Sequence, residues 1–314
     1  MKDPLNKTTC NCIRAIATIC IILIHTNNEF FKGTGQLFTG IFFFYSGYGL
    51  YISVKNKTHY LNGFIQNRII KIYLPFVLTN ILIYSVLRFI LDSLKDENFF
   101  TDVFGINLIN PYGWYVWTII FLYAIFYVIF KFIKNEKLSI LLIFITTVIY
   151  ISFCYYYHVG NWWYNSAICF VFGIIYGQNK EFVLEKIKKY YFILFTIFVL
   201  LFSSSFYFIL YKEWKSNVLI EMLSALFFVS ILIMFCCKFE IKDKLLNSIG
   251  KISYEVYLCQ RIFIVLLLII PNWKIYSVLC ILCSILFGYV LHNICAGIYN
   301  KLINICKLQA PIHF

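Results

Sequence analysis

The stretch IRAIATICIILIHTNN, residues 13–28, decides the class of fold, because it is an apolar run long enough for most of a membrane-spanning helix. It carries an arginine near its start and a histidine near its end, and such residues are rare inside membrane spans. Similar runs of about twenty residues fill most of the chain, and the charged residues lie in short clusters between them. The sequence therefore predicts an integral membrane protein.

Ten such runs predict an all-α fold, a bundle of about ten transmembrane helices. The predicted spans are 12–27, 35–54, 70–91, 113–132, 138–157, 162–178, 190–210, 217–237, 252–271 and 275–299. The strands of a membrane barrel would alternate polar and apolar residues, and these runs do not. The connecting segments hold at most about twenty residues, which leaves no room for a separate soluble domain. We therefore expect a single transmembrane domain over residues 1–314.

Lysine and arginine residues set the predicted orientation, with both termini cytoplasmic. In this arrangement about twenty basic residues lie inside and about five outside. The formal net charge of +13 is explained by that asymmetry. No basic stripe remains that would predict a nucleic-acid partner. The predicted location is the cell membrane, crossed several times, with membrane lipids as partners.

The twelve cysteines are scattered, mostly inside the predicted spans, and none belongs to a pair of CxxC units in a loop. Cys280 and Cys283 lie one helical turn apart, in a run too apolar to supply other metal ligands. Packing explains them better than a metal site. The sequence predicts no bound metal.

Arg14 and His25 lie eleven positions apart, which brings them within about 20° of one helical face and about 16 Å apart along the axis. Asn11, Thr18 and Asn28 fall near the same stripe and predict a polar seam that faces protein or water. The ordinary interpretations are a snorkelling arginine and a histidine hydrogen-bonded near the outer headgroups. Because two costly groups share one face, we favour a functional site, with neutral His25 as general base.

An arginine, ten intervening residues and a histidine in the first span resemble the signature of the membrane-bound acyltransferase 3 family. Members of this family O-acylate carbohydrates and other cell-envelope molecules. Four further segments resemble family motifs in the same order: IFFFYSGYGLY (41–51), RIIKIYLPF (68–76), PYGWYVWTIIFLY (111–123) and GKISYEVYL (250–258). Each motif alone is short, and their order and spacing make the set specific.

Two positions depart from the family pattern. Lys71 stands where the RxxR motif has its second arginine, and a lysine lacks the forked geometry with which arginine binds phosphate. Gln260 stands where the SYxxYLxH pattern often has histidine, and a glutamine does not carry protons. The resemblance therefore leaves His25 as the one good base among the matched motifs.

The resemblance implies an acyl-CoA donor, with a bias toward acetyl-CoA, and a carbohydrate or lipid-linked glycan as acceptor. The donor is made in the cytoplasm and carries several phosphates. Arg68 and Lys71 lie one turn apart near the predicted cytoplasmic start of the third helix, where backbone N–H groups and the helix dipole favour an anion. With Arg14 they are the predicted donor-binding residues, and topology alone is the ordinary alternative.

In this interpretation the pantetheine arm of the donor reaches along the first helix to His25. His25 then removes a proton from the acceptor hydroxyl as it attacks the acyl carbon. Arg14 and His25 are the predicted catalytic residues. A covalent acyl-histidine or acyl-serine intermediate stays open. Ser46 is a candidate only for that route, and helix packing beside Gly47 and Gly49 explains its segment better.

Aromatic residues dense on the predicted outer side form a candidate platform for the acceptor. They lie in GWYVW, residues 113–117, and NWWYN, residues 161–165, and the predicted substrate-binding residues among them are Trp114, Trp117, Trp162 and Trp163. An aromatic belt at the membrane interface is the ordinary explanation for such residues.

Arg261 lies near the middle of the ninth predicted span, with Tyr254 and Tyr257 on about the same face. These three residues are further candidates for substrate binding, since a charge at this depth is costly. Arg261 has three open roles: an ion pair with Glu221 or Glu255, stabilisation of a thioester oxyanion, or a lock between helices. A structural ion pair is the favoured one.

A transporter or flippase of a polar envelope precursor or amino acid is the main alternative, because helices with a polar seam also line passages. Transporters commonly show two related halves with paired helices broken by glycine or proline, and no such symmetry is visible in this sequence. His292 in the last predicted span is interpreted as a packed histidine outside the site.

Overall fold

The computed structural model describes residues 3–26, 31, 33–90, 98–211 and 217–306, with side chains up to residue 301. All regular structure in these residues is helical and none is strand, which confirms the predicted all-α class. The α-helices are α1 Lys7–His25, α2 Gly35–Asn56, α3 Phe64–Arg68, α4 Leu74–Ser85, α5 Phe99–Val103, α6 Trp114–Phe132, α7 Glu136–Tyr156, α8 Ile168–Gln178, α9 Lys180–Tyr211, α10 Val218–Lys238, α11 Lys244–Lys251, α12 Ser253–Leu266 and α13 Trp273–Cys306.

Eight helical segments of the described chain are long and apolar enough to cross a membrane, and the protein is a multi-pass membrane protein. A helix bonds its backbone polar groups internally, which is what a segment in lipid requires. The eight segments are Lys7–His25, Gly35–Asn56, Phe64–Ile90, Pro111–Phe132, Glu136–Tyr156, Lys180–Tyr211, Val218–Lys238 and Trp273–Lys301. They coincide with eight of the ten predicted spans.

The other two predicted spans, 162–178 and 252–271, contain helices that are shorter than expected. α8 has 11 residues and α12 has 14, whereas a crossing takes about 20. Most residues of both helices are buried. The count of ten spans is therefore not confirmed, and the cytoplasmic placement of both termini stays a prediction.

The long helix α9 is divided by a kink at Tyr190, whose backbone angles of φ −120° and ψ 28° are not helical. The part before the kink is charged, and the part after it matches the predicted span 190–210. Only 6% of the most apolar window of α9 is buried. A helix so exposed and so apolar faces lipid along most of its length.

The chain divides into two compact units. The first comprises Met1–His59 and Thr118–Lys251, and the second comprises Tyr60–Trp117 and Ile252–Phe314. The boundary falls within α6 and within the segment GKISYEVYL, so both units draw on the segments that the sequence singled out.

In the first unit, α8 packs against α2 so closely that only glycine fits at the contact. A Cβ atom on Gly47 would stand 2.0 Å from the carbonyl oxygen of Phe170, and one on Gly173 would stand 2.1 Å from that of Phe44. Such distances are far below van der Waals contact. Packing therefore explains Gly47 in the YSGYG motif as predicted, whereas Gly49 has no neighbour within 4 Å of an added Cβ.

In the second unit, α12 packs against α13 and α4. A Cβ atom on Gly288 of α13 would stand 2.9 Å from the backbone nitrogen of Val256 on α12. Near the other end of α12, the Tyr276 hydroxyl donates a hydrogen bond of 2.9 Å to the Ile264 carbonyl oxygen. These contacts fix α12 at the centre of its unit.

Candidate functional site

The first unit places both polar residues of the opening stretch on α1. The Asn6 side chain accepts a hydrogen bond of 2.9 Å from the Thr9 amide and so caps the helix start. The helix then runs without a break to its last residue, His25. Arg14 and His25 therefore lie on one continuous helix, about 16 Å apart and within about 20° of one face, as the spacing predicts.

The polar seam of α1 faces protein. Asn11 is 2% exposed and Thr18 is not exposed at all, whereas Ile16 on the opposite face is 40% exposed. Arg14 and His25 are each half-buried. The seam is therefore packed in protein at Asn11 and Thr18, and it is partly exposed at Arg14 and His25.

Neutral side chains hold Arg14 in place. Its Nη2 atom donates to Asn11 Oδ1, and Asn11 Nδ2 donates in turn to Asn247 Oδ1 at 2.8 Å. The backbone of α11 comes so close that a Cβ on Gly250 would stand 1.9 Å from the Asn11 carbonyl oxygen. The guanidinium position is thus fixed by an amide network between α1 and α11.

The charge of Arg14 has no acidic counterpart in the part of the chain that the structure describes. The Cys10 thiol and the Tyr45 hydroxyl lie near it. Its Nε atom is buried without a hydrogen-bond partner. An uncompensated guanidinium inside a membrane protein is suited to hold an anion.

Sequence reasoning missed two of these neighbours. Tyr45 directly precedes Ser46 in the segment IFFFYSGYGLY, which resembles a family motif, so a signal for Tyr45 was present in the sequence. Asn247 lies far along the chain in a short helix, and no local pattern distinguishes it.

His25 stands at the C-terminal end of α1. The helix is closed by Thr26, whose hydroxyl donates to the Leu23 carbonyl oxygen at 3.1 Å. Asn28, the outermost residue of the predicted seam, lies outside the described residues. The two candidate residues thus mark different depths of one span, and the role of His25 as base stays a prediction.

The second unit contains Arg68 and Lys71, and their predicted place at a helix start is wrong. α3 begins at Phe64, after Gly63 with a left-handed φ of 72°, so the unbonded backbone N–H groups belong to that first turn. Arg68 is the last residue of α3, and Lys71 lies in the π-helical turn Ile69–Tyr73. Any anion bound here is held by the side chains and not by a helix terminus.

Both cations lie against aromatic rings. Arg68 Nη2 donates to the Tyr60 hydroxyl at 2.6 Å, and its guanidinium carbon is 5.0 Å from the centroid of the Phe64 ring. Lys71 Nζ is 5.4 Å from the centroid of the Tyr299 ring. A ring supports a cation without neutralising its charge, so these ring contacts are compatible with the binding of an anion.

The π-helical turn between α3 and α4 has a local cause and a tertiary contact. Pro75 follows it closely, and a proline ring crowds the preceding turn and offers no N–H, which favours a widened helix. The Tyr254 hydroxyl of α12 donates to the Ile72 carbonyl oxygen at 2.8 Å. Tyr254 therefore joins α12 to the segment that carries Lys71.

Tyr257 is a buried anchor. It is 5% exposed, its hydroxyl donates to the Tyr112 carbonyl oxygen at 2.8 Å, and its ring meets that of Tyr115 edge-on at 5.5 Å. Gln260 is fully buried and donates to the Tyr257 carbonyl oxygen at 2.9 Å. These contacts are structural, and direct substrate binding by Tyr254 and Tyr257 stays a prediction.

The favoured ion pair of Arg261 is not formed in the described chain, so that expectation is wrong. Glu255 instead lies 2.9 Å from His292 Nδ1, measured from its Oε1 atom. Glu221, in the first unit, accepts hydrogen bonds of 2.9 to 3.0 Å from two asparagine amides of the NWWYN motif. Glu255 and Glu221 are thus bonded to imidazole or amide groups and not to an arginine. Sequence spacing does not reveal which donors lie next to a buried carboxylate in the fold.

The four candidate tryptophans differ in exposure. Trp114 is 8% exposed, and the indole N–H of Trp117 donates to the Gly105 carbonyl oxygen at 2.9 Å. In the first unit Trp162 is 54% exposed, and Trp163 packs against a small buried cluster. Trp162 is thus the most exposed of the four, and their role toward an acceptor stays a prediction.

Comparison with known proteins adds one finding. The family model of acyltransferase 3, an acyltransferase domain, matches residues 9–292. This range includes all the segments whose resemblance was noted. No curated protein and no solved structure matches the chain.

Proposed function

Because the chain belongs to the acyltransferase 3 family, we propose that this membrane acyltransferase moves an acetyl group from cytoplasmic acetyl-CoA to a hydroxyl group. The acceptor is a cell-envelope glycan or a lipid-linked glycan, and the protein works in the cell membrane. The observation that carries the proposal is the pair Arg14 and His25 on one protein-facing side of α1. A charge and an imidazole in that position are costly unless they serve a site.

Each unit, taken by itself, offers candidate cations for the donor: Arg14 in the first unit, and Arg68 and Lys71 in the second. Arg14 has no acidic counterpart among the described residues, and Arg68 and Lys71 lie against aromatic rings. Acetyl-CoA carries several phosphates, for which guanidinium and ammonium groups are the usual ligands. Lys71 supplies a point charge where the family has a forked one, so we expect it to contribute less than Arg68.

His25 acts as the general base. It takes the proton of the acceptor hydroxyl while the hydroxyl oxygen bonds to the acyl carbon, and the C–S bond then breaks. The CoA thiolate that leaves takes a proton from the His25 imidazolium, which restores the base. The distance of about 16 Å between Arg14 and His25 along α1 is comparable with the reach of an extended pantetheine arm.

The acceptor is bound by aromatic residues, among which Trp162 offers the largest exposed fraction. An indole face suits the apolar face of a sugar ring. Trp114, Trp117 and Trp163 are the further candidates, and their greater burial predicts smaller effects on acceptor binding.

The base is tested with purified protein in nanodiscs and radiolabelled acetyl-CoA. Native protein is expected to hydrolyse or transfer the label, and His25→Asn to slow this by roughly 100-fold or more, because general-base catalysis is lost. His158→Asn is the matched control, since His158 is an exposed histidine with φ 52°, a conformation that asparagine tolerates.

Native-like activity of His25→Asn would remove His25 from the mechanism. Translocation of an envelope glycan precursor by native protein without any acyl turnover would instead support a flippase. Thermal unfolding of both variants shows whether a lost activity reflects a lost fold.

The donor site is tested by Arg68→Ala. We expect the apparent KM for acetyl-CoA to rise by roughly 10-fold with a smaller change in kcat. A charge-assisted contact to the donor is then lost equally in the bound ground state and in the transition state. Arg88→Ala is the control, since Arg88 is an exposed arginine in the same membrane span. An unchanged donor dependence of Arg68→Ala would dismiss the phosphate role.

A further inference from the structure

The second unit contains a guanidinium that the donor and base assignments do not use. Arg261 of α12 is half-buried, and its Nε atom is buried without a hydrogen-bond partner. No ion pair joins it to an acidic residue within the described ranges. The hydroxyl of Tyr112 lies beside it. A charge near the middle of a buried helix, next to a neutral hydroxyl and without an ion pair among the described residues, indicates a binding site for a negatively charged oxygen.

The position of Tyr112 is fixed on both sides. It lies in the 3₁₀ turn Pro111–Gly113, where its amide donates to Asn110 Oδ1 at 3.2 Å. Its carbonyl oxygen accepts the Tyr257 hydroxyl at 2.8 Å, and Asn110 Nδ2 donates to the Leu258 carbonyl oxygen at 3.4 Å. The turn is therefore bonded to α12 at two points just before Arg261. Donors held in this way need little reorganisation when charge appears between them.

The place of Arg261 along α12 relates it to the donor. Tyr254 bonds the π-helical turn that carries Lys71, and Arg261 lies seven residues further on about the same face. That separation is about 10 Å along the helix axis. The arm of acetyl-CoA is longer than this separation, so with the phosphates at Arg68 and Lys71 a partly bent arm brings the thioester to the level of Arg261. A second phosphate subsite is less consistent with one guanidinium and one hydroxyl, because phosphates usually gather several charged donors.

We propose that Arg261 and Tyr112 bind the carbonyl oxygen of the acyl thioester and stabilise the negative charge that it acquires during transfer; this rests on the proposed function. When the acceptor oxygen bonds to the acyl carbon, the π electron pair of the C=O bond moves onto the carbonyl oxygen of the thioester. The pair returns as the C–S bond breaks, and the thiolate leaves with the proton that the acceptor gave up. Arg261 and Tyr112 are catalytic residues in this scheme, and Asn110 and Tyr257 are positioning residues.

The test measures kcat and the KM for acetyl-CoA with full-length protein in nanodiscs. Arg261→Gln is expected to lower kcat about 100-fold and Tyr112→Phe about 10-fold, with the KM for acetyl-CoA changed less than about twofold, because the interaction develops only in the transition state. Arg261→Lys should retain part of the rate. Arg88→Gln and Tyr289→Phe are the matched controls, since Arg88 and Tyr289 are exposed.

A raised KM with native kcat in Arg261→Gln would overturn the proposal, because Arg261 would then bind a group whose charge is the same before and during the reaction. If Arg261→Gln fails to fold, Tyr112→Phe and Arg261→Lys decide: native kcat in both overturns the proposal, and lowered kcat at native KM supports it. Active native protein with unaffected variants refutes only this inference. Native protein without any acyl turnover refutes the proposed function and this inference with it.

Discussion

The two units hold their buried arginines in different ways. Arg14 and Arg261 are each half-buried, each has a buried Nε atom without a partner, and each has a tyrosine hydroxyl nearby, from Tyr45 and Tyr112. The guanidinium of Arg14 is itself hydrogen-bonded to Asn11. The guanidinium of Arg261 is instead hydrogen-bonded to the Tyr112 hydroxyl, and the turn that carries Tyr112 is fixed to α12 through its carbonyl oxygen.

This difference indicates different tasks. A guanidinium held by an amide network keeps its position whether or not a ligand is present, which suits a residue that orients a donor. A hydroxyl that accepts from a guanidinium still has its own O–H to donate to a charge that appears later, which suits a pair that acts in the transition state. The comparison therefore predicts effects on binding in the first unit and on rate in the second.

The largest expected effect comes from the glycines that bring the helices together. Gly250→Ala in the first unit would place a methyl group 1.9 Å from a backbone oxygen of α1 and force α11 away. We expect a loss of about 3 kcal/mol in the free energy of unfolding, the upper end for overpacking. Gly288→Ala in the second unit meets its nearest atoms at 2.7 to 2.9 Å, and about half that loss is expected.

The controls are glycines of the same units whose added Cβ has no neighbour within 4 Å, Gly49 and Gly297. Their change to alanine is expected to leave the melting temperature in nanodiscs unchanged or slightly raised, because alanine favours a helix. A smaller destabilisation by Gly250→Ala than by Gly288→Ala would mean that α11 moves easily. The claim that contacts between α1 and α11 fix the position of Arg14 would then be refuted.

The sequence predicted well what depends on local periodicity. Eight spans, the shared face of Arg14 and His25 and the close contact at Gly47 follow from apolar runs, helical spacing and small residues. Each of these is a property of one helix or of one motif, and helix geometry is nearly constant. The short buried helices α8 and α12 were predicted as full spans because a buried helix and a lipid-facing helix are equally apolar.

Partners far apart in sequence could not be predicted. Asn247 near Arg14 and His292 beside Glu255 are brought into contact by tertiary packing, and nothing in the local pattern of either helix identifies its neighbour. Attraction between opposite charges suggested that Arg261 pairs with an acid, yet a buried carboxylate is satisfied by any well-placed donor. The helix start before Arg68 was predicted too late, because the apolar run begins later than the helix itself.

The smallest expected effects come from Asn247→Ala and Tyr257→Phe. They distinguish most directly the contacts that hold Arg14 from those that hold the turn beside Arg261. Asn247→Ala removes the acceptor that holds Asn11, so Arg14 is less well placed, and the KM for acetyl-CoA should rise roughly fivefold with little change in kcat. Tyr257→Phe removes the bond to the turn beside Arg261, so kcat should fall roughly fivefold at unchanged KM.

The matched controls for this pair are Ser248→Ala on α11, which removes a hydroxyl bonded to a backbone carbonyl, and Tyr289→Phe on α13, which removes the hydroxyl of an exposed tyrosine. Both are expected to keep native kcat and KM, since neither hydroxyl holds Arg14 or Arg261 in place. The informative result is a change in KM alone for Asn247→Ala and in kcat alone for Tyr257→Phe. A general loss of stability would change the same parameter in both variants. If Asn247→Ala and Tyr257→Phe both raise the KM, or both lower kcat, Arg14 and Arg261 have the same role. The assignment of Arg14 to donor binding and of Arg261 to the transition state is then wrong.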